Sequence, residues 1–141
     1  MHRPLIEAAT ADDAAAVVAL WRACGLIRPW NDPGEDFALA LGGASSAVLI
    51  ARGAEIEGSV MVGFDGHRGW VYYLAVSPDR RGAGLGRALM AAAEDWLRAR
   101  GAPKLQLMVR EDNAAALGFY EKLGLERQNI VTLGRFLKDS A

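Results

Sequence analysis

At 141 residues and 52% apolar side chains, the chain has the length of one ordinary globular domain, 1–141, and can bury a core without disulfides or a metal. Sixteen basic and seventeen acidic residues leave a formal net charge of -1, so no broad field exists for a nucleic-acid backbone or a membrane surface, and any anionic ligand must be gripped locally. The single cysteine, Cys24, excludes an internal disulfide, and with neither a secretory leader nor an apolar run of membrane-spanning length the expected compartment is the cytosol.

Leu5 to Ala8 reads as a short strand, and Thr10-Ala11-Asp12-Asp13 offers a helix start followed by Ala14, Val17, Val18 and Trp21 at helical spacing. That helix ends at Gly25, and Cys24 within it is read as a packing or incidental thiol. Arg28-Pro29-Trp30-Asn31-Asp32-Pro33 is a polar turn before a short helix from Gly34 to Leu41. Ala47 to Arg52 and Ser59 to Phe64 read as strands, and Asp65-Gly66 turns the chain into a third, Trp70 to Val76, apolar on both faces and ended by Pro78. From Gly84, the positions Leu85, Leu89, Ala92, Ala93, Trp96 and Leu97 mark one face of a long helix closing at Arg100-Gly101. Lys104 to Val109 gives a further strand, Asn113 to Leu123 a capped helix ending at Gly124, and two short strands are expected around Thr132 and Arg135 to Leu137. The order is βααβββαβαββ.

The most informative segment is Ser77-Pro78-Asp79-Arg80-Arg81-Gly82-Ala83-Gly84-Leu85-Gly86-Arg87, which leads from a buried strand into an amphipathic helix through alternating glycines. Glycines allow close backbone approach, and a helix N-terminus presents unsatisfied N–H donors with a partial positive charge. Arg81 and Arg87 can add charge-assisted bonds, so a pyrophosphate suits this junction. A P-loop would need Lys and then Ser or Thr after the last glycine, where Arg87-Ala88 stands instead. A dinucleotide fingerprint would need G-x-x-G after the first glycine pair and a first-strand position, and both fail.

The run Arg81-Gly82-Ala83-Gly84-Leu85-Gly86 resembles the cofactor motif of the GNAT superfamily of N-acetyltransferases, as do Leu74-Ala75-Val76-Ser77-Pro78 and the later stretch Asn113 to Leu125, in the family's order. The resemblance covers nearly the whole chain, and Arg28 to Asp32 with Asp65-Gly66-His67-Arg68-Gly69 is similar to a bacterial branch of YpeA-like proteins. It implies a mixed α/β (α+β) GNAT fold: a twisted, mostly antiparallel sheet of six to seven strands flanked by about four helices and splayed between the fourth and fifth strands. It further implies acetyl-CoA as cofactor, with Leu74, Ala75 and Val76 pairing with the pantetheine arm, an N–H near Val76 stabilising the oxyanion, and Arg81, Gly82, Ala83, Gly84, Leu85, Gly86 and Arg87 taking the pyrophosphate.

On the same resemblance Asn113 bonds the pantetheine arm, and Tyr120, two helical turns on, donates a proton to the departing sulfur. The alternative for this pair is a helix-cap Asn and a core Tyr. An attacking primary amine, on a small molecule or a protein, must first lose a proton. One branch of the family carries a glutamate five residues before the matched Asn, where this chain has Met108. Asp65 and His67 are then the base candidates, an imidazole titrating near neutrality, and the alternative is a polar hairpin turn. Asp32, Glu111 and Asp112, or a water chain held by Tyr72 or Tyr73, are further options. Trp30, Asn31 and Asp32, with Tyr72 and Tyr73, are expected to line the acceptor site, Trp30 offering an aromatic face to a cation. Family members often pair through their last strands, so the resemblance admits a homodimer. Two rival readings are a non-catalytic acyl-CoA-binding module, suggested by Met108, and a partner-binding domain using the Arg28 to Asp36 loop.

Overall fold

Residues 5–138 are described by the computed structural model; those up to Met108 form one unit and those from Val109 a second. In the first, the β-rich runs become β1 (Leu5–Ala8), β2 (Ser46–Arg52), β3 (Ile56–Phe64), β4 (Gly69–Val76) and β5 (Leu105–Leu107), which join in chain order as a single sheet. The first three pairings are antiparallel, as short turns dictate, and β4 pairs parallel with β5 because a helix crosses between them.

Three helices cover this sheet. Both α1 (Ala14–Ala23) and α2 (Pro33–Gly42) lie on one face, where Val17, Leu20, Trp21, Phe37 and Ala40 bury against Val48, Ile50 and Ala75. A 3-10 turn at Ala11–Asp13 precedes α1, and Asp13 accepts the Thr10 N–H at 2.9 Å. Helix α2 begins one residue earlier than the sequence suggests, because Pro33 fits a first helical position and Asp32 caps it by accepting the Glu35 N–H at 3.1 Å.

The opposite face takes α3 (Leu85–Ala99), whose buried stripe is Leu85, Leu89, Met90, Ala93 and Leu97. Its close approach depends on Gly58, where a Cβ would sit 2.7 Å from Leu89 Cδ1 and 3.1 Å from the Ala75 carbonyl oxygen, and on Gly69, where it would meet Leu97 at 2.6 Å. These contacts seat the N-terminus of α3 beside the end of β4.

In the second unit α4 (Ala114–Lys122) is capped by Asn113, which accepts the Ala116 N–H at 3.1 Å, and ends at Gly124 with φ 91°. The two last strands expected around Thr132 and Arg135 to Leu137 do not form among the described residues, so the sheet has five strands rather than six or seven. The β-branched and aromatic residues that suggested them, Ile130, Val131 and Phe136, are each at least 66% exposed. Such a pattern expresses the capacity to pair, and a strand also needs a partner edge.

Candidate active site

A break in the regularity of β4 organises the site. Met61 lies opposite Tyr72 and Ser59 opposite Ala75, so three steps along β4 match two along β3 and one extra residue is accommodated. The extra residue is taken up at Tyr73, which has φ 51°, in the left-handed region that a bulky side chain rarely enters. Alternation slips there, and Tyr72, Tyr73 and Ala75 all lie on the α1/α2 face.

Strain of this kind costs on the order of 1–3 kcal/mol, and two contacts of the side chain offset it. The Tyr73 ring stacks on Trp21 with centroids 3.9 Å apart and planes 9° from parallel. Its phenol donates to Asp36 Oδ2 at 2.7 Å, and its carbonyl accepts from Ser59 Oγ at 3.4 Å. The stack contributes about 0.5–1.5 kcal/mol. The bond to a carboxylate contributes about 1.5–3 kcal/mol. Ser59 Oγ in turn accepts the Trp21 indole N–H at 2.9 Å. Burial, and then the Asp36 carboxylate, push the Tyr73 hydroxyl up to about 12, so it stays a donor at working pH.

Beyond the bulge β4 and β5 separate. Their ladder runs from Gly69↔Leu105 to Val71↔Leu107, and among the described residues Tyr72–Val76 have no strand on that side. This is the splay expected between the fourth and fifth strands. Leu74, Ala75 and Val76 therefore present an open backbone edge, of the sort an extended ligand can join as an added strand. Met108 follows β5 and is half exposed.

The chain then passes through a 3-10 turn, Pro78–Arg80, to the glycine run. Gly82 has φ 85° and Gly84 φ 82°, and a Cβ at either would meet nothing within 4 Å, so glycine is required there for backbone conformation and not for space. No side chain caps α3, and among the described residues the N–H groups of Gly82 to Arg87 meet no acceptor. Buried Leu85 anchors this array against the sheet. Arg80 is committed to Glu57 at 3.0 Å, whereas Arg81 donates its Nε to the Val76 carbonyl at 3.2 Å and Arg87 is exposed on the first turn of α3. Cys24 Sγ donates to the same carbonyl at 3.3 Å, consistent with a packing role. Clustered N–H donors, a helix N-terminus and two guanidinium groups fit a pyrophosphate.

The remaining candidates divide. Trp30, 58% exposed, and Asn31 precede α2, with the Asn31 amide beside the Tyr73 hydroxyl; Asp32 is the α2 cap. Tyr72 is half exposed, and burial and then the charge of Asp65 raise its hydroxyl above the ordinary value. Asp65 lies at the start of the β3–β4 turn. It accepts the His67 and Arg68 N–H groups at 2.8 and 2.7 Å and the Trp70 indole at 3.2 Å, and these bonds, Arg68 foremost, hold its carboxyl below the usual range. His67 is exposed in the same turn. At about 3.3 Å per residue, β4 carries the chain roughly 20 Å from this turn to Val76, so neither residue is brought to the glycine run.

In the second unit Asn113 is the α4 cap, which occupies its carbonyl oxygen and leaves its amide N–H groups. Tyr120 packs edge-on to Phe119, with centroids 5.1 Å apart, and burial raises its hydroxyl above the ordinary value. Trp21, Ser59 and Asp36, which hold the β4 bulge, escape the sequence reading because their partners lie far along the chain: 14 residues from Ser59 to Tyr73, 37 from Asp36 to Tyr73 and 38 from Trp21 to Ser59.

Residues 14–125 match the family model described as acetyltransferase (GNAT) family. An acetyltransferase of Pectobacterium atrosepticum is 52% identical over 127 residues, covering 89% of this chain and 90% of that one. Among solved structures, AAC(6′)-Iy in complex with the bisubstrate analogue CoA-S-monomethyl-acetylneamine has a TM-score of 0.82 over 96% of this chain and 99% of that one, at 16% identity, a likeness of fold. The ribosomal-protein-S18-alanine N-acetyltransferase of Escherichia coli has a TM-score of 0.73 at 28% identity, over 85% of this chain and 76% of that one.

Proposed function

Because the chain belongs to the acetyltransferase (GNAT) family, we propose that residues 1–141 act as one cytosolic domain that transfers the acetyl group of acetyl-CoA to a primary amine, by direct attack with both reactants bound. The observation that carries this reading is the run of uncommitted N–H groups from Gly82 to Arg87 directly after an open strand edge. Acetyl-CoA supplies an activated thioester when bound. Gly82 to Arg87, with Arg81 and Arg87, hold its pyrophosphate, and Leu74 to Val76 pair with the pantetheine arm. A backbone N–H near Val76 opposes the negative charge that develops on the carbonyl oxygen during attack.

On the family pattern Tyr120 is the proton donor to the departing sulfur. Its raised pKa keeps the phenol protonated at neutral pH. The Asn113 amide N–H groups remain available to the arm. Trp30, Asn31 and Tyr72 form the acceptor side, where an aromatic face can hold an ammonium before it is neutralised. Asp65, its carboxyl held below the usual range by bonds from the Arg68 and His67 N–H groups, and His67 in the same turn are the base candidates, with solvent the other route for the amine proton. An amine acceptor is in keeping with the ribosomal-protein-S18-alanine N-acetyltransferase among the similar solved structures.

The test is release of CoA from acetyl-CoA in the presence of an α-amine peptide, a lysine peptide, a polyamine and an aminoglycoside. Release above the rate without amine, for at least one acceptor, is expected. Rates equal to the amine-free control with all four would contradict the proposed transfer.

A further inference from the structure

The left-handed turn at Tyr73 decides which backbone groups of Leu74 to Val76 face the open edge. In a regular strand alternate N–H and C=O groups point to opposite sides, so removing the extra residue at the bulge would turn the outward groups inward and the inward groups outward. Tyrosine does not favour this conformation, and it persists because the side chain is fastened elsewhere. The ring lies on Trp21 of α1, and the hydroxyl bonds Asp36 of α2 at 2.7 Å with the Asn31 amide close by. Asp36 lies neither on the glycine run nor on the open edge, and the acetyl-transfer reading leaves it without a role.

We propose that Tyr73 and Asp36 are a positioning pair: the bond from the Tyr73 phenol to the Asp36 carboxylate holds β4 in its bulge, and so lets α2 set the orientation of the strand edge that receives the pantetheine arm. The inference rests on the reading of acetyl-CoA at that edge. It makes cofactor affinity depend on a carboxylate that does not touch the cofactor.

The experiment combines calorimetric titration of CoA with amide spectra of the unliganded full chain, for the wild type and for Tyr73→Phe, Asp36→Ala and Asp36→Asn. Tyr73→Phe and Asp36→Ala are expected to shift the amide signals of Leu74, Ala75 and Val76 and to weaken CoA binding about tenfold, equivalent to about 1.4 kcal/mol. Asp36→Asn keeps a carbonyl oxygen that accepts the phenol proton, and should remain within about twofold of wild type. A purely structural loss would not be rescued in this selective way. Wild-type CoA affinity in Tyr73→Phe overturns the proposal, whether or not its amide signals move, and so does an Asp36→Asn variant as weak as Asp36→Ala. If Tyr73→Phe does not fold, the two Asp36 variants decide the matter. If the wild type binds no CoA, the acetyl-CoA reading fails, and the amide signals alone judge whether the phenol sets the bulge.

Discussion

Replacing Ser59 by Ala removes one oxygen from the interior, and the structure sets what that should cost. Ser59 and Trp21 are both fully buried, and Ser59 Oγ accepts the indole N–H at 2.9 Å. Without it the indole donor is stranded where water cannot reach it, a penalty of about 1–3 kcal/mol. The second bond, to the Tyr73 carbonyl at 3.4 Å, is long enough to add little. A net loss of about 2 kcal/mol is expected, which for a chain of this length lowers Tm by roughly 6–10 °C. Urea and thermal unfolding followed by circular dichroism measure both. The decisive comparison is the same substitution in a Trp21→Phe background, where no indole donor is left behind. There Ser59→Ala should cost at least about 1 kcal/mol less. A cost below about 0.5 kcal/mol in the wild type, or an equal cost in both backgrounds, would refute the reasoning.

Gly58→Ala should destabilise the protein by about 1–3 kcal/mol, since the new methyl meets Leu89, itself fully buried, and an immovable Ala75 carbonyl; weaker CoA binding should accompany it as the start of α3 is displaced. Asp13 provides a pH test: the Thr10 N–H first, and then Arg52, hold its carboxyl below the usual range, so its contribution is present above about pH 4 and is lost as pH falls through the folded value. Asp13→Asn should therefore lose less stability than wild type between about pH 6 and about pH 3 in urea titrations. Tyr120→Phe should lower the rate of transfer by about 10²-fold or more with CoA affinity little changed, and the wild-type rate should climb with pH through about 9, because the raised phenol stays protonated while the amine sheds its proton. A rate insensitive to the substitution would remove Tyr120 as the proton donor.

Where local chemistry decides structure, the sequence was readable. Alternating glycines announced the turn into α3, and Gly82 and Gly84 do take left-handed conformations; the amphipathic stripe from Leu85 to Leu97 is the buried face. The mixed sheet with its splay and four helices follows the family pattern. The bulge in β4 was hidden because Trp70 to Val76 is apolar on both faces, so a slipped alternation leaves no mark, and because its left-handed residue is a tyrosine and not a glycine. What fixes that residue is long-range packing from Trp21, Asp36 and Ser59, which spacing does not record. Asp32 and Asp65 each look like chemical groups in sequence, yet as short acids beside Pro33 and Gly66 they fold back onto backbone N–H groups. The tail from Ile130 to Leu137 shows the opposite limit, a strand-like pattern without a partner edge among the described residues.

The measurement closest to the central claim is calorimetric titration of acetyl-CoA into the wild type and an Arg81→Glu, Gly84→Glu variant, with circular dichroism to confirm that both are folded. Micromolar binding by the wild type, abolished in the variant by two carboxylates set among the N–H groups of Gly82 to Arg87, is the expected result. No binding by the folded wild type, or undiminished binding by the variant, would contradict the assignment of this glycine run as the cofactor site.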